Sequence, residues 1–168
     1  GAGGDIYMDG NVSVTTNGTT VSIGNLSGVT DQKSYAIAIG NNTGATAQGS
    51  NSVAVGYNAG ETIQGPESTS IGYISGQSNQ GSHTVAVGRA AGRFTQGSGS
   101  VAIGYNASQT SQGTAAVAVG FASGQTSQGR NAIAVGNGAG AQTQGSDSVA
   151  IGYEAGNDTQ GIWSVSIG

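Results

Sequence analysis

Ser148-Val149-Ala150-Ile151-Gly152 is one copy of a run that returns along almost the whole chain. Val85-Ala86-Val87-Gly88, Val101-Ala102-Ile103-Gly104, Val117-Ala118-Val119-Gly120 and Ile133-Ala134-Val135-Gly136 differ from it by a methyl group here and there. The closing glycines, from Gly24 and Gly40 to Gly152 and Gly168, are 16 residues apart without an insertion. Nine complete repeats therefore run from Asn25 to Gly168, behind a non-repeating start of 24 residues. A fixed period this short is the mark of a solenoid.

Outward from that run the repeat stays strict. A glutamine follows each repeat glycine by eight residues, from Gln32 and Gln48 to Gln144 and Gln160, and a glycine follows it in every copy except at Lys33. A further glycine comes four residues after the repeat glycine, missing only at Ser108. Both residues flanking the small residue before the repeat glycine are β-branched: Val or Ile throughout, apart from Thr69. Such stiff side chains favour strands, and glycine at this density excludes a helix.

Side chains alternate along a strand, so the intervening residues face the other way. They are Ala or Ser at one position (Ala38, Ala54, Ser70, Ala86 onward) and Ala, Ser or Thr two residues earlier. A strand apolar on one face and small on the other is covered on both. One face lines the coil and the other needs a partner; alternation does not say which. The alanine column is expected to be kept from water, with sister chains covering the charge-free side.

Sixteen residues give room for two strands of about five residues and two turns, the second strand ending at the glutamine. Stacked at about 4.8 Å, nine coils make a rod of roughly 43 Å. The glutamines are expected to form an amide ladder that holds a corner, as stacked Gln does in cross-β assemblies. If each coil buries two Val or Ile side chains, the gain is about 1.5–3 kcal/mol apiece. Ordering 16 backbones costs about 1–2 kcal/mol per residue, so lateral association is expected. In residues 1–24, Ile6-Tyr7-Met8 is a strand candidate. Asn17-Gly18 between alternating runs is a hairpin signal; its rival is a degenerate first coil, since Val21-Ser22-Ile23-Gly24 is already in register.

Composition narrows the function classes. With 33 glycines, four basic and eight acidic residues in 168, the chain is no ordinary globular domain, and it has no basic stripe for nucleic acid. It has no cysteine and no apolar stretch long enough to span a bilayer, and it reads as a segment of something longer. His83 is the single histidine, and the carboxylates are scattered over different repeat positions, so neither a metal or cofactor site nor an acid/base pair is expected. The expectation is a protein that is not an enzyme.

The run Asn51-Ser52-Val53-Ala54-Val55-Gly56, like Ser148-Val149-Ala150-Ile151-Gly152, resembles the YadA-like head repeat of trimeric autotransporter adhesins. The likeness covers all nine repeats. It implies a left-handed parallel β-roll, three of which pack around a threefold axis as an extracellular attachment head on a bacterial outer membrane. The familiar repeat has 14 residues rather than 16, and the longer unit with its Gln-Gly corner also looks like repeats of phage and viral fibres, which would place it on a virion. The partners implied are two sister chains and a host-cell surface or matrix receptor, a glycan among the candidates.

Two groups stand out as surfaces. Tyr57, Tyr73, Tyr105, Phe121 and Tyr153 all directly follow a repeat glycine and are read as a seam between subunits. Arg89, Arg93 and Phe94 of the fifth coil, with His83 of the fourth, make the densest positive patch and are the candidate receptor patch. An ice-binding solenoid is the alternative from another class: Thr46, Thr62, Thr110 and Thr126 share one position, which Ser78, Phe94, Gln142 and Asp158 interrupt. A glycan hydrolase ranks last for want of a carboxylate pair.

Overall fold

A computed structural model describes residues 12–13 and 20–168. Each repeat is one coil of a parallel β-solenoid, and no helix occurs among the described residues. The run before each repeat glycine forms a three-residue strand, such as Val101–Ile103 or Val149–Ile151, and these stack in unbroken register: Val117 on Val101, Ala118 on Ala102, Val119 on Ile103. With Val12–Ser13 at one end, they make a sheet of eleven strands. Val21–Ile23 pairs parallel with Ile37–Ile39 and antiparallel with Val12–Ser13, so it is the first rung of the roll and one arm of an antiparallel pair. Ile6-Tyr7-Met8 and the Asn17-Gly18 turn lie outside the described residues.

The second strand of each coil is shorter than the pattern suggests. It is two residues long, Thr95–Gln96, Ser111–Gln112, Ser127–Gln128, Thr143–Gln144 and Thr159–Gln160, in a parallel sheet of five. Single bridges from Gln48 to Gln64, Gln80 and Gln96 extend it towards the start of the chain. The turns take up the difference. The second residue after the repeat glycine is left-handed, as at Asn58 (φ 50°) and Asn106 (φ 55°). So is the eleventh, as at Asn51 (φ 55°), His83 (φ 58°) and Asp147 (φ 57°). Each such residue ends an extended run.

Two glycine positions are fixed by contact. A Cβ on Gly104 (φ +128°) would stand 2.3 Å from the carbonyl oxygen of Gly120 in the next coil. On Gly124 (φ +51°) it would come within 2.9 Å of the Gln128 amide. At Ser108 the chain departs from the second rule: serine takes the left-handed conformation (φ 44°), and its hydroxyl donates to Gln128 Oε1 at 3.0 Å. Backbone groups are satisfied between coils, as in Gly120 N to Ile103 O (2.8 Å) and Val117 N to Ala132 O (2.9 Å).

The interior corrects one expectation. Ala38, Ala54, Ala86, Ala102, Ala118, Ala134 and Ala150 are wholly buried within a single chain, so the coil itself shields the alanine column. The Val and Ile side chains point outward: Ile39, Ile71, Ile103 and Ile151 are 36–41% exposed. No coil buries its two β-branched residues. The reason is width: the interior is filled by Ala, Ser and an occasional Thr such as Thr84, with one extended side chain in each coil.

That side chain is the glutamine, and it spans the interior rather than holding a corner. Gln48, Gln64, Gln80, Gln96, Gln112, Gln128, Gln144 and Gln160 are at most 7% exposed. Each donates its amide to the opposite strand, for example Gln112 Nε2 to Val101 O (2.8 Å) and Gln144 Nε2 to Ile133 O (2.7 Å). The amide ladder is present in part. Gln112 donates to Gln128 (3.1 Å) and Gln128 to Gln144 (3.2 Å), whereas Gln64, Gln112 and Gln160 keep a buried Oε1 without a partner.

Candidate functional site

The outer face of the large sheet is the most extensive apolar feature. Val117 and Val119, and their equivalents in every coil, form two parallel columns of half-exposed β-branched side chains without a charge among them. At about 4.8 Å per coil the stripe runs roughly 40 Å. A continuous exposed apolar surface of this length is characteristic of an interaction face.

Beside it, just after the repeat glycines, stands the aromatic column. The rings of Tyr57 and Tyr73 stack with centroids 5.3 Å apart and planes within 10°, and those of Tyr105 and Phe121 at 5.1 Å and 4°. The Arg89 guanidinium fills the gap, 5.5 Å from the Tyr73 ring and 5.0 Å from the Tyr105 ring, and donates to the Tyr105 hydroxyl at 2.9 Å. Identical backbone geometry in successive coils forces this stacking, because equivalent side chains lie one strand spacing apart. Tyr153 is separated from the pile by Asn137 and is 69% exposed.

His83, Arg89, Arg93 and Phe94 do not form one cluster. Arg93 lies over the Phe94 ring (4.5 Å) and donates Nε to Gln77 Oε1 (2.9 Å). Gln77 in turn donates to Glu61 (2.7 Å), which also accepts from Asn42 (2.7 Å), a chain of polar side chains along the axis. His83 sits at the left-handed turn position and approaches Glu67 Oε2 at 3.3 Å. Among the described residues no hydrogen bond, ion pair or ring contact joins His83 or Arg89 to the Arg93–Phe94 pair. Position in the repeat decides this: His83, Arg89 and Arg93 occupy three different columns.

Just before the second strand of their coils, Thr46, Thr62, Thr110 and Thr126 are exposed, but so are Phe94, Gln142 and Asp158 in the same column. Nothing supports an ice-ordering face. Among the described residues no group of three or more His, Asp or Glu side chains could hold a metal ion, and no helix is long and apolar enough to cross a membrane. The interior glutamines, the largest buried polar side chains, bond to backbone and to one another.

The repeat has a counterpart among protein families. The family model described as the YadA head domain repeat matches residues 34–59, 95–108 and 127–155. No curated protein and no solved structure gives a significant match.

Proposed function

From a chain that carries YadA-like head repeats, we propose a non-enzymatic segment of a homotrimeric attachment fibre, exposed at a cell or virion surface and binding a host-cell or matrix receptor. The observation that carries this reading is the pair of Val/Ile columns. Nine coils direct their bulkiest aliphatic residues outward in a straight, uncharged stripe, while the interior is filled by Ala, Ser and Gln. A single chain leaves that stripe half in water; three chains packed stripe to stripe remove it. The left-handed coil of the family is part of the same proposal, as is division of the chain at residue 24 into a connector and the roll.

Burial of the stripe stabilises the assembly by about 25 cal/mol for each Å² removed from water. The resulting rod has no strand edge along its length, only at its ends, and its polar second sheets face outward. Rigid extension with a presented outer surface is the mechanical role this geometry suits. Mass photometry of the purified chain, followed by adhesion to host cells and matrix-coated surfaces, tests the proposal. The expected result is a threefold mass with retained adhesion; a stable monomer would overturn it.

A further inference from the structure

The five-member pile from Tyr57 to Phe121 has features that a subunit seam does not require. The Val/Ile columns continue through every coil, as a seam along the axis must. The position after the repeat glycine is Asn25 and Asn41 in the first coils, Arg89 in the middle and Asn137 beyond Phe121, so the aromatic run is local. It extends over four coil intervals, about 19 Å. Arg89 is exposed, and among the described residues neither it nor Arg93 meets a carboxylate; the ion pairs are Lys33 with Asp31 and His83 with Glu67. Covering Arg89 with a sister chain would strip water from an unpaired charge.

Both guanidinium groups instead lie over rings, Arg89 between two (5.5 and 5.0 Å to the centroids) and Arg93 over one (4.5 Å). This placement restrains the fork of N–H donors; Arg89 gives one donor to the Tyr105 hydroxyl and keeps the others for a planar or tetrahedral oxyanion. The Tyr73 and Tyr105 rings are covered on both faces by their neighbours in the pile. Their exposure of 48% and 42% therefore comes from ring edges and hydroxyls, which bond sugar hydroxyls better than they stack on sugar rings.

We propose that the Tyr57–Tyr73–Arg89–Tyr105–Phe121 pile is a binding strip for an acidic polysaccharide. The glycan lies along the coil axis, its carboxylate or sulfate groups take the free N–H donors of Arg89, and its hydroxyls bond the Tyr57 and Tyr73 phenols. The strip rests on the adhesive reading for its place at a surface and adds the class of ligand. His83, paired with Glu67, is not part of it.

The test uses the whole chain, with its oligomeric mass measured first. Calorimetric titration with a heparin-derived octasaccharide, a hyaluronan octasaccharide and a neutral malto-oligosaccharide separates sulfate from carboxylate recognition. Binding of one or both acidic glycans, weakened by salt and absent for the neutral one, is expected. Arg89→Gln is expected to weaken binding by about tenfold or more, and Arg93→Gln, in another column, by much less. Arg89→Lys should not restore it, because an ammonium neither stacks between rings nor forks. Tyr105→Phe, which keeps the stack, checks that any loss does not come from a collapsed pile. The proposal is overturned if neither acidic glycan binds, if Arg89→Gln leaves binding unchanged, or if Arg89→Gln alters the oligomeric mass, which would assign the pile to the seam. A trimer that binds no acidic glycan refutes the strip alone, and a monomer that binds refutes the trimer alone.

Discussion

Gln128 reaches across the inside of its coil to Val117, its Nε2 donating to the main-chain carbonyl at 2.7 Å. The same amide group also accepts from Gln112 at 3.1 Å and from Ser108 at 3.0 Å, so one side chain ties both sheets and two successive coils together. Replacement by leucine fills the space but orphans these partners in a dry interior. Gln128→Leu is expected to cost about 2–4 kcal/mol, and Gln128→Glu more, since it buries a charge. Thermal melts followed by circular dichroism measure both.

The repeat glycines and the turn residues make opposite predictions about adding a side chain. Gly104→Ala drives a methyl group against the Gly120 carbonyl and should cost about 3 kcal/mol or more. Ala122, by contrast, is held at φ 51°, where Asn58 and Asn106 serve in other coils. Ala122→Asn is expected to stabilise by up to about 1 kcal/mol, since asparagine tolerates the left-handed region better. Chemical denaturation of the two variants beside the parent gives the comparison.

Outward valine is the basis of the proposed assembly. Val119→Asp places a charge in the middle of the apolar stripe and should lower the mass from trimer to monomer, whereas Thr110→Asp, at an exposed turn beside the second sheet, should leave it unchanged. Equal behaviour of the two variants in mass photometry would remove the stripe from the interface.

Whole coils are expected to be interchangeable units. Deleting residues 113–128 joins Gln112 to Gly129 and restores the Gln-Gly corner in register, so the shortened chain should fold with only a modest fall in melting temperature. Deleting residues 113–120 joins Gln112 to Phe121, puts an aromatic ring where the corner glycine belongs, and should abolish cooperative melting. Calorimetry distinguishes them.

Much of this architecture was legible before any coordinates. Period, strand and parallel stacking follow from the spacing of Gly104, Gly120 and Gly136, and a structural rather than catalytic role for the glutamines follows from their regularity. The brevity of the second strand was also on the page: Asn42, Asn58 and Asn106 recur at one turn position and Asn51, Asn131 and Asp147 at another, and such residues mark left-handed backbone. His83 belongs to that second set, which is why it stands apart from Arg93 and Phe94. The Arg89 pile was missed because an arginine among aromatics looks like an interruption until equivalent positions are seen to lie one strand spacing apart.

A 16-residue recurrence alone determined that this chain winds into stacked rungs, because only a coil of constant length brings identical residues into hydrogen-bonding register again and again. Tertiary structure decided which side of each rung is inside. Alternation assigns Val117 and Ala118 to opposite faces without ranking them. The ranking comes from what the thin interior holds: alanine, serine, an occasional threonine and one outstretched glutamine per coil fill it, which leaves valine and isoleucine on the surface.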